Sequence, residues 1–179
     1  SLDDQTLREI AERLDYLRGL EKRRQEVSDL IATAGSMTDE VAAALASAVT
    51  LSEIEDIYRP FRPKRKTRAS VARQKGLEPL AQEIYRQDPN AAYPIDLAQA
   101  YIHPELGVET PEDALAGAKD IIAEWVSDDA GIRKRLRVVT LAQGVLVSKA
   151  AKSDEESVYE PYYDFRQPVR QLAGHRVLA

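Results

Sequence analysis

The sequence contains no cysteine, which excludes disulfides, thiolate metal sites and thiol catalysis at once. It has only two histidines, and His103, next to Pro104 in an expected loop, would have to meet His175 across the chain to form a metal pair or a catalytic triad. Glycine is scarce, and Gly76, Gly117 and Gly144 stand alone, so no glycine-rich loop can cradle a phosphate. Asp128-Asp129 and Asp154-Glu155-Glu156 could supply carboxylates to a two-metal nuclease site, but acids at helix starts are favoured by the helix dipole in any case. The expectation is a non-enzyme with no metal and no cofactor. No apolar run approaches the ~18 residues of a membrane span, and the N-terminus lacks the basic-then-apolar layout of a signal peptide. The sequence therefore reads as a soluble, cytoplasmic protein without a membrane partner.

Sparse proline, few aromatics and the lack of any long β-alternation leave helix as the dominant element, and the predicted class is all-α with a long first helix. Leu7, Ile10, Leu14 and Leu17 recur at three- and four-residue spacing, followed by Leu20, Val27, Leu30, Ile31 and Ala34 on a slightly rotated stripe. Asp3 or Asp4 can cap this helix and Gly35 can end it; Lys22-Arg23-Arg24 falls where the stripe shifts, beside Glu21 and Glu26. Thr38 opens an alanine-rich second helix, and Thr50 with Glu53 has capping-box spacing for a third that ends near Tyr58. Thr67 caps a short helix from Arg68 to Lys75, stopped by Gly76, and Pro79 suits the first turn of the next.

Farther on, Thr110-Pro111-Glu112-Asp113 predicts a helix through Trp125, read as a core residue. Ser127-Asp128-Asp129 restarts helix to about Gln143, where Gly144 ends or weakens it. Ser153 with Glu156 gives a further capping box before Tyr159, Tyr162, Tyr163 and Phe165. Ser1 in place of Met, and a last stretch His175 to Ala179 that reads as the start of another element, suggest one region of a larger protein.

One further absence is local. Between Tyr58 and Gly76 there is no Asp or Glu, while Arg59, Arg62, Lys64, Arg65, Lys66, Arg68, Arg73 and Lys75 crowd around Pro60 and Pro63. The chain has 25 basic and 30 acidic residues; without these eight the balance is 17 against 30, or −13. A polyanion is drawn to such a strip and repelled by the rest, which makes nucleic acid, RNA or DNA, or an acidic protein the first partners to consider, with Tyr58 and Phe61 placed to stack a base or to hold the arm down. The alternative is that these charges pair with the acidic body and fix the arm to its own protein, since the arginine fork fits carboxylate as well as phosphate. A surface open to solvent favours the first reading and internal ion pairs favour the second. The Arg133-Lys134-Arg135 cluster with Arg137 reads as a solvated helix face.

The run Glu55-Asp56-Ile57-Tyr58-Arg59-Pro60-Phe61-Arg62-Pro63-Lys64-Arg65-Lys66-Thr67-Arg68-Ala69, continued by Ala72-Arg73-Gln74-Lys75-Gly76-Leu77-Glu78-Pro79-Leu80-Ala81, resembles the N-terminal region of the bacterial Tex family of transcription accessory proteins. Weaker likeness extends from Leu14 through Ala114–Glu124 to His175-Arg176 and so covers nearly the whole chain. Phe61, Ser70 and Gln74 stand where Tyr, Thr and Glu are common in the family. The resemblance implies a helical N-terminal region with a helix-turn-helix-like part, ahead of RNase H-like, helix-hairpin-helix and S1 domains that lie outside residues 1–179. It implies nucleic-acid binding chiefly through the S1 domain, so that this region is an accessory module touching other domains of its own polypeptide or the transcription machinery.

Overall fold

The computed structural model describes residues 3–63, 66–151 and 157–178. The Ser153/Glu156 capping box, Lys64 and Arg65 lie outside them. The described chain is mostly helical, and it divides into two compact units, residues 1–130 and 131–179.

In the first unit, helix α1 (Asp4–Thr33) begins where the Asp3 carboxylate accepts the Thr6 N–H at 2.7 Å. It ends where Gly35 turns left-handed (φ 68°) and the Ser36 N–H returns to the Ile31 carbonyl. Thr38 and Thr50 cap α2 (Asp39–Ser47) and α3 (Leu51–Tyr58) in the same local way. The Glu53 carboxylate departs from the reciprocal box: it accepts from Val49 N–H rather than Thr50 N–H. These three helices close over Leu20, Val27, Ile31, Leu45, Ala48 and Ile54, with Tyr58 and Phe61 packed half-buried against them.

The N-terminal stripe of α1 does not join that core. Leu7, Ile10, Leu14 and Leu17 remain 43–51% exposed, because at 3.6 residues per turn they point about a quarter turn away from Leu20, Val27 and Ile31. The Lys22-Arg23-Arg24 step marks the change of face. Glu21 and Glu26 hold Arg24 and Arg23, but Arg24 also reaches across to α2 and donates to the carbonyls of Leu45, Ala46 and Ala48. It thus adds donors to carbonyls at the end of α2, where helical partners run out; the Leu45 carbonyl otherwise accepts the Ala48 N–H at 3.3 Å. Replacing Arg24 with Met keeps the apolar stem and removes the donors; urea titration should show a loss of about 2 kcal/mol. An unchanged midpoint would mean that water serves those carbonyls equally well.

The second half of the unit is built on α7 (Pro111–Asp128), which starts at a Thr110/Asp113 capping box. Helices α4 (Arg68–Gln74), α5 (Glu78–Arg86) and the short α6 (Pro94–Ala98) pack onto it. Between them they bury Ala69, Ala72, Leu77, Leu80, Ala114, Ala118 and Ile121. Alanine and glycine on the facing surfaces let α4 and α7 approach closely. Trp125 lies partly buried at the edge of this cluster, with the Tyr85 ring edge-on at 5.6 Å.

The second unit corrects the sequence reading at one point. Helix α8 (Ala130–Gln143) ends at Gly144, and the chain then forms an antiparallel hairpin of β1 (Val145–Lys149) and β2 (Asp164–Pro168), with Val147 opposite Arg166. The terminal α9 (Gly174–Leu178) follows. A five-residue strand flanked by helix formers gives no period-2 signal of its own, and its partner Asp-Phe-Arg-Gln-Pro has no apolar alternation. No described residue of this unit is fully buried.

Candidate nucleic-acid interface

The basic strip begins as α3 ends. Pro60 sits in a 3-10 turn spanning Arg59–Phe61, Arg62 is extended, and Thr67 caps α4 in a reciprocal box with Ser70. The described cations of the strip go to different places and do not form one open ribbon.

Three of them turn onto α7. Asp120, Glu124 and Asp128 stand at four-residue intervals along that helix, about 6 Å apart on one face. Each takes one arginine of the strip. Arg68 Nε lies 3.5 Å from Asp120, Arg73 Nη1 lies 2.6 Å from Glu124, and Arg59 Nε lies 2.9 Å from Asp128. Glu124 and Asp128 are only 12% and 11% exposed, so these two carboxylates are sheltered although Arg73 and Arg59 keep 29% and 42% exposure, whereas the Arg68 side chain is 88% exposed and its contact is loose. Thr67 adds a hydroxyl hydrogen bond to Glu124 at 3.1 Å, and Glu78 takes the second face of Arg73 at 3.3 Å. Burial alone would pull the Arg73 pKa down; the hydrogen bonds and charges of Glu124 and Glu78 outweigh it and leave that pKa raised.

Arg62 goes the other way, onto Glu55 of α3. Glu55 also accepts from Arg23 Nε at 2.6 Å, and both guanidinium groups lie against the Tyr58 ring, at 5.7 and 5.2 Å from its centre. Tyr58 is thereby occupied by its own protein's cations, and Phe61 packs on the α1–α3 core.

The remaining described cations of the strip, Lys66 and Lys75, share a surface groove with Arg68. Lys75 Nζ donates to the Gly107 carbonyl at 2.7 Å. Hydrogen bonding to Thr110 chiefly, with smaller help from the Glu109 N–H and the Lys75 charge, holds the nearby Asp113 carboxyl below the usual carboxylate range. Among the described residues, no group of three or more His, Cys, Asp or Glu could hold a metal ion, and no helix is long and apolar enough to cross a membrane. His103 closes a small bridge with Val108, its Nδ1 3.6 Å from Glu105.

The sequence reading singled out the cations and missed their partners. Asp120, Glu124 and Asp128 carry a signal, acidic residues at i, i+4 and i+8, but nothing local says which charges meet them. Arg59 and Asp128 are 69 residues apart.

Over residues 88–179 the chain matches the family described as Tex central region-like. It belongs to the Tex family. The likeness to individual family members runs over the full chain. It is 44% identical over 184 residues to protein YdcI of Bacillus subtilis, 41% over 180 residues to protein tex of Bordetella pertussis, and 34% over 180 residues to transcriptional accessory protein Tex of Neisseria gonorrhoeae. At least 99% of this chain is covered in each case, but only 25%, 22% and 23% of those relatives. The chain is thus a Tex-family segment spanning about a quarter of their length. The match to the Tex central region begins at Asp88, in the turn after α5, and takes in all of α7 with its acidic ladder.

Proposed function

We propose that this Tex-family chain is a non-catalytic, cytoplasmic helical module of a transcription accessory protein, and that its basic strip acts first as an internal clasp, leaving the module to hold partners by its surfaces. Residues 1–179 would form one accessory region, beside the family's RNase H-like, helix-hairpin-helix and S1 domains. The observation that carries this is the pairing of Arg59 with Asp128 and of Arg73 with Glu124 on the acidic ladder. The arginine forks that a phosphate chain would use already hold carboxylates.

A second reading, direct help in RNA or DNA binding, draws on the outward positions of Lys66 and Arg68 and on the neighbouring Lys64 and Arg65 in sequence. Helices α4 and α5, joined through Gly76, have the spacing of a helix-turn-helix. The second helix, however, carries Glu78 and Glu83 against a single Arg86, a poor match for a phosphate-lined groove.

The two readings separate in an anisotropy titration of the whole chain with a single-stranded oligonucleotide at low and high salt. The clasp reading expects weak binding that is insensitive to reversing Lys64, Arg65 and Lys66 to Glu. If log K falls with log salt by about 2 or more, as three neutralised phosphates would require, and the reversal abolishes binding, the strip is a nucleic-acid surface instead.

A further inference from the structure

The outward part of the strip converges on the groove between α4 and α7, a hollow of about 530 Å³. Its floor is made by Val71, Leu77, Ala116 and Gly117, and it stays open because the α7 side contributes no large side chain there. Its rim carries Lys66, Arg68 and Lys75, with Asp113 and Asp120 set between them. Lys75 is engaged by the Gly107 carbonyl and Asp120 by Arg68, whereas Lys66 and the tip of Arg68 are exposed at the mouth.

An apolar floor with cations at its mouth asks for a ligand that brings both an apolar group and negative charge. We infer that this groove is a docking site for a short acidic peptide segment that inserts one large apolar side chain, Leu or Phe, onto Val71 and Ala116 while its carboxylates meet Lys66 and Arg68. The inference rests on the interaction-module reading and names the kind of partner. The hollow has room for such a side chain, and an anchor seated among charges is the usual source of affinity in small interfaces. The rim carboxylates already have partners, Asp113 in the N–H groups of Glu109 and Thr110 and Asp120 in Arg68. A phosphodiester chain fits less well, because it offers nothing to the apolar floor.

The test is fluorescence anisotropy of the whole chain with three labelled probes: a peptide of Asp and Glu around a single Phe, the same peptide with Ala for Phe, and oligouridylate. The Phe peptide should bind, and the Ala peptide should bind about thirtyfold more weakly, the loss expected of a removed anchor. Ala116→Trp, which fills the hollow from an exposed helix position, and the pair Lys66→Glu with Arg68→Glu should each weaken the Phe peptide at least as much, with circular dichroism unchanged. Equal binding of the two peptides, or no binding of either, overturns the docking site. If neither peptide binds and oligouridylate shows no dependence on the strip, the module reading stands and only the groove is lost. Oligouridylate binding that collapses with the Lys66 and Arg68 reversals overturns both.

Discussion

Replacing Gly117 with valine should lower the thermal midpoint of the first unit by about 6 to 12 °C. Gly117 lies in mid-helix on α7, where a glycine costs about 1 kcal/mol relative to alanine, so helix propensity alone would reward its replacement. Packing opposes this more strongly. A Cβ built at Gly117 overlaps the Leu77 Cδ1 methyl and comes within 3.2 Å of the Ala72 Cβ. Leu77 is 1% exposed and Ala72 is 3% exposed, so both are closely packed, and Ala72 has no side-chain rotation to offer. Overpacking of this kind costs about 1–3 kcal/mol for modest insertions, and the second branch of valine takes the upper end. At about 2–4 °C per kcal/mol for a chain of this size, the midpoint shift follows. Gly117→Ala is the graded control and should fall near zero or slightly below, where the gain in propensity partly offsets the contact. A valine variant as stable as the parent would mean that α4 can slide on α7, and the clasp would then hold less rigidly than described.

Glu124→Ala is the second large effect, expected at about 2–3 kcal/mol in urea titration. The carboxylate has little access to water and serves Arg73 and Thr67 together. Its removal strands a guanidinium with Glu78 alone, at 3.3 Å. Breaking a fully buried pair costs about 3–5 kcal/mol; the figure here is set lower because the Arg73 side chain keeps 29% of its exposure. Glu124→Gln keeps an acceptor for Thr67 and should lose about half as much. The decisive measurement is a double-mutant cycle with Arg73→Met. A coupling of about 1–2 kcal/mol is expected, and strictly additive losses would show that the two residues stabilise the fold independently. The same variant should free the α4 end of the strip, so anisotropy with oligouridylate would rise if arginines released from α7 become available to phosphate.

Most of the helix boundaries could be read from the sequence because they are local events. Asp3, Thr38, Thr50, Thr67 and Thr110 each cap a backbone N–H three residues ahead, and Gly35 and Gly76 end helices with a positive φ that few other residues tolerate. The Tex-like run from Glu55 to Ala81 pointed to the family for a related reason: its prolines and caps fix a short, unusual path. What was not legible depends on distance along the chain. The leucine stripe at the start of α1 has core-like spacing, but only the positions of α2 and α3 determine which stripe is covered. The β1–β2 hairpin joins residues about twenty apart through two strands without marked alternation. In the strip, the number and sign of the charges were plain, while the pairing of Arg59 with Asp128 and of Arg73 with Glu124 exists only once α7 is in place.

The second unit carries one more implication. A helix and a two-stranded hairpin whose described side chains are at most half-buried have little hydrophobic free energy with which to oppose chain entropy. The α8 helix and the β1–β2 hairpin should therefore act as a gauge of company: backbone amides there should exchange within seconds in the free chain and slow sharply whenever another surface settles on Leu136, Val139 or Val147, so hydrogen exchange could locate a neighbour before its identity is known.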